Sequence, residues 1–399
     1  MAHQRIYITG MGIVSALGVG KTPTLEALLT AHSGIGPMRN LQGTVLNHYP
    51  VGEVPLSDPE MQQALGLDPS EPCIRTGLMG MMAAQEAVEQ AQFARQRPER
   101  TALLSGTTVG GMDRSERHYL DFFEGKHTHY VALHNCASFT DQVAQRTGPY
   151  DICSTLSTAC SSAANAVIMG ANLIATGRAD AVVAGGSECL SKFHLNGFHT
   201  LMIIDKQPCR PFDRQRAGLN LGEGAAFVVL ESEQSMRARG VEPLCQLSGY
   251  ANTCDAFHQT ATSANGQGPY LAMKSALQMA NLQPSDIDYI NAHGTGTPNN
   301  DISEGIAIER VFGQQVPHTS STKPFTGHTT SAAGSVEAVI SILALQHRFV
   351  PANLNLKQPI EELHFTPVSQ TLRDIDLHHV LSNSFGFGGN DSAYILSKV

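Results

Sequence analysis

Four separated segments hold the residue types that thiol chemistry needs. Cys160 follows Leu156-Ser157-Thr158-Ala159 and stands just before a small-residue run that starts near Ser161. A thiol at a helix N-terminus faces unpaired N–H groups and the positive end of the helix dipole, which favour the thiolate. Thiolate is the attacking form in covalent catalysis. An inert buried thiol is the competing reading of Cys160. His293 follows the strand-like run IDYINA (287–292) and opens the loop HGTGTP, whose small residues leave an imidazole accessible. Ligand-binding residues favour the carboxyl ends of strands in α/β sheets. His328 closes KPFTGH, with Lys323 five residues before it and Glu337 nine after. A Lys–Glu ion pair beside an imidazole sets its orientation and protonation. The chain has 17 histidines, so an idle loop histidine competes with both assignments. The fourth segment, NSFGFGGN (383–390), interleaves Gly386, Gly388 and Gly389 with Phe385 and Phe387. Its backbone freedom suits amides that donate to an oxyanion and a ring that moves as a gate; a plain tight connection is the alternative. Neither GxxxxGK[ST] nor a helix-opening GxGxxG is present, so a phosphate cradle is not expected.

These segments need a scaffold. Runs 5–16, 101–106, 180–186 and 225–230 are apolar and strand-like, and 76–93 has apolar residues at helical spacing. After Arg237-Ala238-Arg239-Gly240 the pattern restarts, with strands at 244–250 and 287–292 and a helix at 270–280; Asn281 and Pro284 punctuate the gap. Continuous apolar strands alternating with helices predict a parallel or mixed sheet covered on both faces. Segments 157–177 and 326–346 look alike. Each begins with Ser or Thr and a reactive residue type, passes through a small-residue stretch (SSAANAV, SAAGSVEAV) and becomes apolar. An internal duplication, with one such helix from each half packed centrally, explains this. Two unrelated buried helices are the alternative. No low-complexity linker separates the halves, so they should share one rigid body.

Composition sets the class. A chain of 399 residues exceeds the ~250–300 at which one core stops growing, so two halves are expected. With 42% hydrophobic and 15% charged residues it is no candidate for disorder. The balance of 26 Lys and Arg against 35 Asp and Glu leaves a net charge of −9, with no general footprint for nucleic acid. No uncharged apolar run approaches a membrane span, and the strand-like start at Arg5 leaves no room for a signal peptide. The eight cysteines lack CxxC spacing, which weakens both a metal site and a disulfide framework and fits reduced thiols in the cytoplasm.

The ordered set Cys160…HGTGTP…KPFTGH…FGFGG resembles the β-ketoacyl-(acyl carrier protein) synthases of the thiolase superfamily, close to the synthase II type. The resemblance covers essentially the whole chain and includes PFDRQRAGLNLGEGAAFVVLE at 211–231. It implies a thiolase-like α/β fold of two pseudo-repeated halves, 1–245 and 246–399, in five layers (α-β-α-β-α), with insertions near 20–95 and 110–150. It implies decarboxylative Claisen condensation of a Cys160-bound acyl chain with malonyl-carrier protein. Carried over motif by motif, His293 and His328 promote decarboxylation, Lys323 stands beside the second histidine and Glu337 supports Lys323. The amides of Cys160 and Phe387 form the oxyanion hole, with Phe387, between Gly386 and Gly388, also the gate. Asp255 and His258 fall in the second active-site loop and receive no catalytic role. No cofactor or metal is implied beyond the carrier's phosphopantetheine.

The product is an elongated fatty acid or a type II polyketide or aryl polyene, and departures from the pattern leave room for the specialised ketosynthase. Segment 198–212 is shorter, Asp68, Glu71 and Pro72 replace a basic stretch, and Ala217-Gly218-Leu219 replaces Asp-Gly-Phe. Val109 and Met112 are expected to line the acyl pocket. Carrier proteins are acidic, so Lys192, Lys206, Arg210 and Arg214 are the candidate docking patch; internal salt bridges compete for them. The resemblance implies a homodimer or a heterodimer with a chain-length subunit, with the strand 150–156 near the interface. Two rivals remain: a coenzyme A-dependent thiolase, disfavoured because no cysteine follows Cys254, and a non-catalytic or chain-length-determining partner subunit, disfavoured by the intact Cys-His-His set.

Overall fold

The computed structural model describes residues 4–41 and 46–399. The first half runs β1 (Ile6–Ser15), α1 (Arg75–Gln90), β2 (Thr101–Gly106), α2 (Cys136–Thr147), β3 (Ile152–Leu156), α3 (Ser162–Ala175), β4 (Ala181–Glu188) and β5 (Gly224–Ser232). The second runs β6 (Cys245–Cys254), α4 (Gln267–Ala280), β7 (Tyr289–Asn291), α5 (Pro298–Phe312), β8 (His318–Ser320), α6 (Ala333–His347), β9 (His379–Gly386) and β10 (Asn390–Ser397). Each half is therefore β-α-β-α-β-α-β-β. Their sheets have one topology as well: β3-β2-β4-β5-β1 in the first and β8-β7-β9-β10-β6 in the second. Directions also agree. The first three strands of each row are parallel, and the last two pairings antiparallel. This is the expected duplication, and β1 pairing with β6 over a few residues joins the two sheets edge to edge.

Why the strands read as unbroken apolar runs is clear from their packing. Ala226, Val228 and Leu230 of β5 face the central core with Ile6 and Ile8 of β1, whereas Ala225, Phe227 and Val229 face an outer core with α1. In the second half Val380, Tyr394 and Leu396 point inward, and Leu381, Ala393 and Ile395 outward against α4 and α5. Both faces of each sheet are covered, so the alternation of a one-sided sheet is lost. Helices α3 and α6 fill the central layer, which completes five layers.

The two central helices touch because their sequences are small. A side chain on Gly334 of α6 would place its Cβ 2.7 Å from the Cβ of Ala164 in α3. The Tyr394 hydroxyl donates to the Gly334 carbonyl and locks this crossing to β10. The segment 326–332 does not continue α6. Instead the His328 N–H donates to the Asn220 carbonyl, and the Gly222 N–H donates to the His328 carbonyl. That pairing draws the strand-like segment away from the helix and presents His328 at its mouth.

Candidate active site

The turn from β3 into α3 carries Cys160. The preceding residue, Ala159, has φ +52°, a left-handed conformation that costs a non-glycine residue about 1 kcal/mol or more. A polar network holds it. Ser162 Oγ accepts from the Thr158 N–H, and Ser161 Oγ donates to the Thr158 carbonyl. Asn390 Oδ1 accepts from Ser161 Oγ and Asn165 Nδ2 at 2.7 Å each, and Ser384 Oγ donates to the Cys160 carbonyl. Asn390 and Ser384 come from β10 and β9, so the second half clamps the first half's cysteine.

Burial, not the helix terminus, sets the protonation of Cys160. Desolvation pushes its thiol up to about 11, against smaller lowering by Lys323 and by a hydrogen bond from the Phe387 amide. The expectation of a resting thiolate is therefore corrected: Lys323 and the Phe387 amide do not offset the removal of the sulfur from water. A base must take the proton, and His328 Nε2 lies 3.2 Å from the sulfur.

His293 and His328 stand ring to ring, centroids 5.3 Å apart at 83°. Both are buried and held well below the usual imidazole range, by burial first and by the charge of Lys323 second. Lys323 Nζ lies 3.2 Å from His293 Nδ1 and donates to the His293 carbonyl and to Glu337, each at 2.5 Å. A lysine donating to Nδ1 leaves the proton of His293 on Nε2. Burial raises Glu337 to about 7, with Lys323 opposing. The ion pair lies beside His293 rather than His328, so the lysine near His328 in sequence serves the other histidine in space.

Two carboxylates that sequence reading passed over shape the HGTGTP loop. Glu304 of α5 accepts from the His293 and Gly294 N–H groups at 2.8 Å each and from Asn383 Nδ2. Asp301 accepts from the Phe212 and Gly296 amides. The available signal was two acids in the first turns of the helix that HGTGTP opens. Glu188 was also missed. It gathers Thr107 Oγ1, the amides of Thr108 and Val109, and the Ser331 hydroxyl.

A cavity of about 360 Å³ opens onto Cys160, His293 and His328. Phe385, Gly386, Phe387 and Gly388 line one side, and Thr260, Ala261 and Thr262 of the second loop line another. The Phe387 ring stacks on Phe198 at 5.8 Å. Gly388 and Gly389 have φ +83° and +75°, so the loop requires glycine there. Asp255 anchors the second loop through Ser263 and Gly268, while His258 is exposed on it.

Other expected residues fall elsewhere. Val109 and Met112 do not line this cavity. Val109 is buried in the outer core with α1, its amide held by Glu188, and Met112 packs against the same core. Of the basic residues, Arg210 pairs with Asp205 at 3.1 Å and Arg214 pairs with Glu361. Lys192 lines a separate polar cavity of about 820 Å³ near Arg75 and Arg114. Lys206 is exposed and, among the described residues, has no ion-pair partner.

Residues 3–235 match the beta-ketoacyl synthase N-terminal domain and residues 244–357 its C-terminal domain. The chain is 31% identical over 418 residues to 3-oxoacyl-(acyl-carrier-protein) synthase 2 of Vibrio harveyi, with 100% of both chains covered. It superposes on the ishigamide ketosynthase/chain length factor with TM-score 0.92 and 29% identity, again over 100% of both chains. A chain of the complex between the ketosynthase ApeO and its chain length factor ApeC, from Xenorhabdus doucetiae, gives TM-score 0.84 and 31% identity over 99% of this chain and 98% of that one. Family models thus match segments of both halves, and a relative at 31% identity spans the whole chain: the chain belongs to the β-ketoacyl synthase family.

Proposed function

We propose that this protein is a β-ketoacyl-(acyl carrier protein) synthase that condenses a Cys160-bound acyl chain with malonyl-carrier protein. The observation that carries this reading is Cys160 Sγ at 3.2 Å from His328 Nε2, with His293 beside it and held by Lys323. In the first half-reaction the Cys160 sulfur attacks the acyl thioester. His328 Nε2 takes the thiol proton and returns it to the departing pantetheine thiolate. The amides of Cys160 and Phe387 face the developing oxyanion, each such donor being worth ~3–4 kcal/mol. In the second, the malonyl carboxylate leaves as CO2, and the His293 Nε2–H steadies the enolate oxygen. The enolate carbon attacks the Cys160 thioester and expels the thiolate, which takes up a proton from water by way of His328 Nε2.

The relatives' names span 3-oxoacyl-(acyl-carrier-protein) synthase 2 and ketosynthase/chain length factor pairs, and the sequence departures support a type II polyketide or aryl-polyene role. A partner subunit, identical or of the chain-length type, fits the open edge of β3, whose residues are partly exposed and, among the described residues, pair only with β2. The eight cysteines are free, as a cytoplasmic setting would leave them. Among the described residues no helix is long and apolar enough to cross a membrane.

Intact-mass spectrometry after mixing with a panel of acyl-carrier proteins tests the proposal. An acyl adduct mapped to Cys160, absent in Cys160→Ala, is expected. Its absence from every donor, with and without a co-expressed partner subunit, would sink it.

A further inference from the structure

We infer that His118, Asp121 and His127, none of which lines the Cys160 cavity, form a binding site for a divalent transition-metal ion such as zinc. His118 and Asp121 lie on the helix Met112–Phe123, and His127 lies on the loop that follows. His118 Nδ1 is 3.0 Å from Asp121 Oδ2, and His127 Nε2 is 3.8 Å from the same oxygen. The three donor atoms all lie within 4.8 Å of one another. Metal–ligand bonds of ~2.0–2.1 Å in a tetrahedron separate neighbouring donors by ~3.4 Å. The observed spacings bracket that value, so small side-chain rotations admit an ion.

The imidazoles are already oriented. Those of His118 and His127 stack at 4.3 Å and 29°, which turns both nitrogen edges toward the shared carboxylate. Tyr130 supports both rings, parallel to His118 at 5.1 Å and 4° and 6.4 Å from the His127 ring, with the Arg114 guanidinium 5.5 Å from the Tyr130 ring. Arg114 in turn is pinned by Asp58 at 2.8 Å. His127 holds φ +52° to bring its ring back to the helix after Gly125 at φ +72°. Two imidazoles and one carboxylate suit zinc, nickel or copper rather than calcium or magnesium, which prefer all-oxygen sites. Asp121 and His127 are 40% and 47% exposed, so a fourth position opens to water. An ion there would clamp the loop 124–130 to a helix that exposes Tyr119, Leu120 and Phe123, fixing the shape of an apolar ridge.

The test uses the full chain carrying Cys153→Ser and Cys254→Ser, which remove the exposed thiols. Zn2+ is titrated calorimetrically, and Co2+ is followed by absorption. One equivalent with visible cobalt bands and no thiolate-to-cobalt charge transfer is expected, and H118A and H127A should each weaken binding at least ~10-fold. Circular dichroism checks that the variants fold; H127A changes only an exposed loop, so it reads the site even where H118A unfolds. No retained ion, a thiolate band, or unchanged affinity in H118A/H127A would overturn the site and leave an ordinary His–Asp contact.

Discussion

Cys160 and Asp391 show how burial governs single residues here. With the thiol raised to about 11, only about one sulfur in ten thousand is thiolate at pH 7. The rate of iodoacetamide alkylation at Cys160, followed by peptide mapping, should therefore climb about tenfold per pH unit between pH 7 and 10. A plateau near pH 7 would contradict this. His328→Ala should slow acyl loading at pH 7 by about 10²–10⁴, with partial recovery at high pH. Asp391 sits behind the glycine loop with neither carboxylate oxygen hydrogen-bonded. Burial first, then repulsion from Asp255 and Glu304, raises it to about 8. The folded state thus binds a proton that the unfolded chain releases near pH 4, so stability declines as pH rises from about 4 to 8 and then levels. Asp391→Asn removes that decline. In thermal melts it should match the parent near pH 4 and exceed it at pH 8 by about 5 kcal/mol, the rise from about 4 to about 8 taken at ~1.4 kcal/mol per pH unit. Equal stability at both pH values would refute the assignment.

At the scale of elements, the central helices depend on absent side chains. Gly334→Val would force α6 off α3, since even a Cβ falls 2.7 Å from Ala164. Overpacking of this kind costs about 1–3 kcal/mol. The denaturant midpoint should drop accordingly, and an unchanged midpoint would show that the crossing relaxes freely. The small-residue runs were legible in sequence as close-packing helices. Their starts were not. Segment 326–346 read as one unit, yet 326–332 leaves the helix because His328 finds backbone partners at Asn220 and Gly222. Partners a hundred residues away cannot be inferred from local periodicity.

For the molecule as a whole, the proposed function requires a chain of net charge −9 to receive an acidic carrier protein. Intramolecular partners divide the four basic candidates. Arg210 and Arg214 are already paired with carboxylates, whereas Lys206 is exposed and unpaired among the described residues. Lys206→Glu should therefore raise KM for acyl-carrier substrate several-fold and leave reaction with a small pantetheine thioester nearly unchanged, and Arg214→Glu should do less. Steady-state kinetics on both substrates decide it, because equal losses on both would remove Lys206 from the docking surface.

The amino-acid sequence alone determined the reactive residue types, their order and the twofold architecture. Those reside in local composition: a cysteine before a small-residue run, HGTGTP after a strand, and apolar strands whose unbroken character records a sheet covered on both faces. Tertiary structure decided how the groups combine. Lys323 reaches His293 although His328 is its neighbour in sequence, and Glu304, Asn390 and Ser384 converge on loops they are far from along the chain. Val109, expected in the pocket, is buried in the outer core, its amide held by Glu188. The cysteine's protonation was settled the same way. A helix terminus is visible in sequence, but the desolvation that outweighs it exists only once two halves close over the sulfur.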